Sequence, residues 1–137
     1  MSDDRLPTEA PRPTSATQEF WAATSDGTLL LQRCDACETV IWYPKGFCSA
    51  CSSFATSWFA ASGLGTVYSF TVVRKAAGAW QQATPYVVAY VELAEGPRVL
   101  TNVVGCDPGS VEVGMPVEVV FDDTGEGTAL YRFRPST

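Results

Sequence analysis

The sequence contains no histidine. That removes the most common general base and excludes Cys–His and Ser–His–Asp catalysis assembled within this chain. Positive charge is scarce too: nine Lys and Arg stand against fifteen Asp and Glu, for a formal net charge of −6. This is a poor starting point for binding polyanions. No apolar run approaches the ~20 residues that span a bilayer. Residues 1–14 are polar, carry three prolines and lack an apolar h-region, so they do not read as a secretory signal. The expected compartment is the cytoplasm, where cysteines serve as metal ligands more often than as disulfides.

What is present suits a globular chain. Apolar residues make up 46% of 137, enough for one domain or for one small domain with an appendage. A chain of this size buries roughly two-thirds of its unfolded surface, so it can hold a core.

Four of the five cysteines fall in two pairs, Cys34-Asp-Ala-Cys37 and Cys48-Ser-Ala-Cys51, ten residues apart. Each pair offers two sulfurs from one tight loop, and a short hairpin between them can bring the loops together. The spacing predicts one tetrahedral Cys₄ zinc site. The same ligands also suit rubredoxin-like iron, and two disulfides are the bland alternative. A thioredoxin-type redox pair would open a helix as a single motif, without a second facing pair.

Along the chain, residues 1–14 read as a flexible arm. Ser15 or Thr17 is placed to cap a short helix through about Thr24, carrying Phe20 and Trp21. Those two side chains serve either to dock the helix on its own domain or as an apolar handle for another chain. Strands are expected at 29–33 and 40–44 around the first cysteine pair, with residues 52–59 leading out of the second. Segment 29–59 is then a zinc ribbon too small to fold without metal. Ser62-Gly63-Leu64-Gly65 breaks the pattern. Strands follow at 66–73, 85–93, 97–104, 116–121 and 129–133, with a long loop at 74–84 and an irregular or one-turn helical link ending at Gly114. Asp122 to Gly127 reads as an acidic turn, not a metal site. The layout matches an OB-fold barrel, ahead of an SH3-like barrel or a small sandwich. The expected class is therefore mainly β: residues 1–28 as arm and short helix, 29–61 as zinc ribbon, 62–137 as a five-stranded OB-fold.

The order of segments is specific. A short aromatic helix precedes Leu-Leu-Leu-Gln-Arg-Cys-Asp-Ala-Cys, Trp-Tyr-Pro-Lys and Cys-Ser-Ala-Cys. Then come Gly-Leu-Gly-Thr-Val-Tyr-Ser-Phe-Thr-Val-Val, Pro-Tyr-Val-Val-Ala-Tyr-Val-Glu-Leu, Gly-Pro-Arg-Val-Leu-Thr-Asn-Val and Val-Gly-Met-Pro-Val-Glu-Val. Over about residues 17–135 the chain resembles the acyl-CoA-associated OB-fold family with an N-terminal rubredoxin-like zinc ribbon. That resemblance implies a non-catalytic partner of a thiolase, of a lipid-transfer-type thiolase homologue acting as an aldolase, or of a hotdog-fold hydratase, in acyl-CoA metabolism that includes steroid side-chain degradation. It carries the ribbon ligands over to Cys34, Cys37, Cys48 and Cys51. One departure is visible. Zinc knuckles often place Gly after the second Cys, where the backbone turns with φ > 0; here Glu38 and Ser52 stand there.

Other residues carry two readings each. Lys45, Arg74, Lys75 and Arg98 are ordinary solvated charge or, given the resemblance, contacts for the phosphates of CoA at a shared interface. Trp80 is a core lid or a partner anchor. Cys106, with no histidine to activate it, reads as a small buried thiol. Two further functions compete with the scaffold reading. One is a single-stranded nucleic-acid module using Tyr68, Phe70, Tyr86 and Tyr90 as a stacking platform, against which the charge argues. The other is an electron carrier with Fe(Cys)₄. A single structural zinc would take the net charge to about −8.

Overall fold

The computed structural model of the protein describes residues 6–136. One helix, α1 (Gln18–Thr24), precedes eight strands. A seven-residue helix is marginal on its own. Thr17 stands at its N-cap, but no side-chain cap bond forms: the Thr17 hydroxyl accepts from the Thr14 amide at 2.9 Å. Docking holds the helix instead. Phe20, Trp21 and Thr24 are buried, and the Thr24 hydroxyl donates to the Trp21 carbonyl at 2.6 Å while accepting from the Ala129 amide at 2.9 Å.

A three-stranded antiparallel sheet follows, with β1 (Leu30–Cys34) between β2 (Val40–Ile41) and β3 (Thr56–Ala60). The second strand is shorter than the sequence suggested. Pairing stops at Gln32↔Ile41. Beyond it Trp42 and Tyr43 turn onto Phe20, and the Lys45 amide donates to the buried Gln32 side chain at 2.9 Å, not to a ladder.

The remaining five strands close a barrel: β4 (Leu64–Val73), β5 (Tyr86–Leu93), β6 (Arg98–Val103), β7 (Pro116–Asp123) and β8 (Ala129–Pro135). Their spatial order is β4-β5-β6-β8-β7, with β7 returning to β4. The β6–β8 contact is parallel through Val103↔Phe133 and the other pairs are antiparallel, giving the OB-fold. A 3₁₀ segment, Gly78–Ala83, interrupts the long loop, and a 3₁₀ turn at Pro108–Ser110 forms the expected link before β7. Gly65 does not break the strand as its neighbours suggested. It pairs with Leu93 on one side and Val117 on the other, closing the barrel. A Cβ there would lie 2.7 Å from the Glu92 carbonyl oxygen, so only glycine lets the three strands meet.

Alternation places Val87, Ala89, Val91 and Leu93 inside. The core is continuous: Phe20, Trp21, Leu29 and Leu31 from helix and ribbon join Val67, Val91, Val117 and Phe133 from the barrel.

Two further expectations change. Asp122 and Asp123 are the end of β7, paired with Leu130 and Ala129, and not part of a turn. The Asp122 carboxylate accepts from Arg132 Nε at 3.1 Å; alternation puts this arginine on the face of β8 opposite the core residue Phe133, yet it is only 3% exposed. The arm from residue 6 onward is also not free. Leu6 is buried, and the Pro7 carbonyl accepts from Arg132 Nη2 at 2.8 Å. Residues 1–5 of the arm lie outside the described residues.

Candidate metal centre

The Sγ atoms of Cys34, Cys37, Cys48 and Cys51 all lie within 4.8 Å of one another. Contacts across the knuckles are 3.5 Å between Cys34 and Cys51 and 3.7 Å between Cys37 and Cys48. The two loops repeat one backbone pattern. The Glu38 amide donates to the Cys34 carbonyl at 2.9 Å, and the Ser52 amide to the Cys48 carbonyl at 2.7 Å. The Cys34 amide donates to the Thr39 carbonyl at 2.9 Å, and the Cys48 amide to the Ser53 carbonyl at 2.8 Å. Closing each loop this way requires left-handed backbone after the second cysteine. Glu38 has φ +66° and Ser52 has φ +68°, as expected for the position glycine often takes.

Local donors favour thiolates. The Cys37 and Ala36 amides each lie 3.4 Å from Cys34 Sγ, and the Cys37 amide is the main cause that lowers the Cys34 pKa. The Thr39 hydroxyl, 3.1 Å from Cys37 Sγ, brings that thiol down to about 6. Cys51 behaves oppositely. The Ser53 amide pulls its pKa down, but the neighbouring Cys34 and Cys37 sulfurs and burial outweigh this and push it up to about 12. Four sulfurs this close resist complete ionisation unless a cation sits among them. A soft-donor tetrahedral set of this kind fits Zn²⁺. Thr39 and the turn amides escaped the sequence reading, although amide-to-sulfur bonds follow from any tight Cys-x-x-Cys turn.

The other predicted residues are scattered. Phe20 and Trp21 lie inside this chain, 0% and 7% exposed, and so offer no surface to a partner. The Trp21 indole donates to the Tyr43 hydroxyl at 2.8 Å. Trp80 is half-buried against Tyr86, ring centroids 4.9 Å apart. Lys45 Nζ donates to the Tyr43 carbonyl at 3.2 Å. Arg98 is ion-paired with Glu92 at 3.3 Å and sits over the Tyr68 ring at 3.9 Å. Arg74 and Lys75 are exposed beyond the end of β4. Glu92 pairs with Thr66 and Tyr86 with Val73, so Arg98 and Arg74 flank opposite ends of one sheet, roughly 20 Å apart at ~3.3 Å per residue. The four cations do not converge on one site. The stacking platform is not assembled either: Tyr68 and Tyr90 are exposed, but Phe70 packs against the core and Tyr86 against Trp80. Cys106 is half-buried at the rim of a cavity. The sequence reading missed one exposed aromatic pair on the ribbon. Phe54 is 81% exposed, with Phe47 at a centroid distance of 6.5 Å.

Fold and site together define a zinc ribbon joined to an OB-fold barrel. Family models agree: the rubredoxin-like zinc ribbon domain of ChsH2 matches residues 21–57, and its C-terminal OB-fold domain matches residues 58–122. A DUF35 domain-containing scaffold protein of Methanocaldococcus jannaschii is 36% identical over 75% of this chain and 78% of its own length. The chain belongs to the DUF35 family of ChsH2-type zinc-ribbon and OB-fold proteins. It is also 39% identical, over 92% of its length, to a probable enoyl-CoA hydratase alpha subunit of Thermomonospora curvata. It is 33% identical, over 98%, to the 3-oxo-4,17-pregnadiene-20-carboxyl-CoA hydratase alpha subunit of Mycobacterium tuberculosis. The chain spans only 40% and 43% of those two proteins. Among solved structures, a chain of the Ltp2–ChsH2(DUF35) aldolase matches with a TM-score of 0.84 at 36% identity, covering 93% of this chain and 100% of that one. Among the described residues no helix is long and apolar enough to cross a membrane.

Proposed function

We propose that this chain is a non-catalytic scaffold subunit that docks on and stabilises a thiolase-like aldolase or thiolase acting on acyl-CoA. The observation that carries this reading is the match, over the whole of the matched chain, to a component of the Ltp2–ChsH2(DUF35) aldolase. The scaffold names of archaeal relatives support it, as does the absence of histidine from a site that holds only sulfur ligands. Relatives named as hydratase alpha subunits, one of them for a pregnadiene-carboxyl-CoA, support acyl-CoA chemistry and a steroid side-chain substrate, with a hotdog-fold hydratase as a second kind of partner.

Cys34, Cys37, Cys48 and Cys51 hold one structural Zn²⁺ in this reading. The ion supplies the charge that lets four thiolates coexist, and so fixes the ribbon on the barrel. Of the four predicted cations, Arg74 and Lys75 are exposed and in no ion pair among the described residues, which favours them as contacts for a CoA phosphate, and Trp80, in the loop that follows them, is the candidate anchor. The test is affinity capture of the tagged protein from its own host, followed by assay of the co-purifying thiolase-fold subunit with and without this chain. A stoichiometric partner that is unstable or weakly active alone is the expected result. Full activity of that partner without this chain would refute the reading.

A further inference from the structure

At one end of the barrel the 3₁₀ segment Gly78–Ala83, the start of β5 and the end of β6 enclose a cavity of about 240 Å³. Tyr86, Val103, Cys106 and Pro108 are among its walls, and Leu6 closes another side. Leu6 is 7% exposed, although it belongs to a segment with no secondary structure. The next residue, Pro7, gives its carbonyl to Arg132 Nη2 at 2.8 Å. From Thr8 to Pro13 the segment is partly or fully exposed and pairs with no strand, and Pro11 and Pro13 have no amide to donate. At its other end Thr14 bonds only to Thr17.

We infer that residues 6–14 form a removable strap, seated by the Leu6 side chain and the Pro7 carbonyl, whose release opens the cavity beside Cys106. Leu6 is the one fully buried residue of the segment, and a single charge-assisted hydrogen bond ties residues 6–13 to the barrel. The barrel does not depend on it. Arg132 keeps Asp122 and the Asn102 side-chain oxygen as partners when Pro7 leaves, and of the core residues of β5 and β6 only Val103 lines the cavity. The strap therefore occupies a slot with two requirements: an apolar side chain, followed at once by a backbone carbonyl for a buried guanidinium. Reseating the strap restores the charge-assisted bond from Nη2 of Arg132 to the Pro7 carbonyl. Cys106 is the one cysteine outside the ribbon, so its reactivity reports the state of the strap.

The test is the rate of Cys106 alkylation by N-ethylmaleimide in the zinc-loaded full chain, read by peptide mass mapping. Leu6→Asp, which cannot seat a carboxylate in an apolar slot, is expected to raise that rate at least about fivefold, with Leu6→Met staying within about twofold of the parent. Equal rates in all three proteins would overturn the inference. Hydrogen exchange on the unsubstituted protein gives an independent reading should Leu6→Asp misfold. Amides of Thr8, Glu9 and Ala10 are expected to exchange orders of magnitude faster than those of β5. Protection equal to that of β5 would show that the segment is a fixed part of the barrel.

Discussion

Glu38 and Ser52 occupy equivalent places in the two knuckles and share the same left-handed backbone, φ +66° and +68°. Both amides turn back to the carbonyl of the first cysteine of their own loop. A residue with a Cβ sits there at a cost of roughly 1–2 kcal/mol, partly offset by the greater freedom that glycine has when unfolded. Glu38→Gly and Ser52→Gly are therefore expected to stabilise the metal-loaded protein by about 0.5–1 kcal/mol each. Thermal melts and competition with a chromophoric chelator check this. A fall in melting temperature for both would show that the loops carry no such strain.

Metal removal should be felt beyond the ribbon. Tyr43 follows the first knuckle closely, and it accepts the Trp21 indole N–H and packs on Phe20 with centroids 5.8 Å apart. Structural zinc in small domains contributes on the order of 10 kcal/mol to folding. Stripping the ion with a chelator is expected to collapse the near-ultraviolet circular dichroism of the Trp21, Trp42, Tyr43 and Tyr131 cluster. Most of the far-ultraviolet signal of the barrel should remain, and zinc should restore the rest. An unchanged near-ultraviolet spectrum after complete removal, checked by elemental analysis, would mean that ribbon and cluster are uncoupled.

Arg132 should matter more than the carboxylate it meets. Its side chain is 4% exposed and that of Asp122 is 44% exposed, so water can replace the guanidinium around Asp122, whereas loss of the guanidinium also takes the donor from the half-buried Asn102 side chain and the Pro7 carbonyl. Burial lowers the Arg132 pKa, and Asp122 works against that effect. Arg132→Met is expected to cost about 2–3 kcal/mol in urea unfolding, and Asp122→Ala about 1 kcal/mol or less. The reverse order would place the stabilisation on the exposed ion pair.

Alkaline stability should carry the signature of Tyr131. Its ring lies among Phe20, Trp21 and Trp42, with centroids 6.0, 6.1 and 5.8 Å away. Burial pushes the phenol well above its ordinary value, and Tyr43 adds in the same direction. The folded pKa is raised, so this contribution is fully present below the unfolded value of about 10 and is lost as pH rises through the folded one. Urea midpoints at about pH 8 and about pH 11 are expected to differ less in Tyr131→Phe than in the parent. The same pH dependence in both would assign the alkaline loss to other groups.

The sequence alone carried the metal-binding chemistry and the architecture, for reasons that are local. Two Cys-x-x-Cys turns determine their own geometry within four residues. The period-two pattern of Val87, Ala89 and Val91 declares a half-buried strand wherever it is placed. The order of strands and the connector before β7 were legible for the same reason. Tertiary structure decided what depends on residues far apart in the chain. Gly65 reads as a break until two strands are seen to press on it. Arg132 reads as surface charge until Asn102, Asp122 and Pro7 are brought around it. Phe20 and Trp21 fit a partner handle and an internal anchor equally well on paper, and only the joining of helix, ribbon and barrel into one core buries them. The scatter of Lys45, Arg74, Lys75 and Arg98 has the same origin. Charge is a property of composition, whereas convergence of charge belongs to the fold.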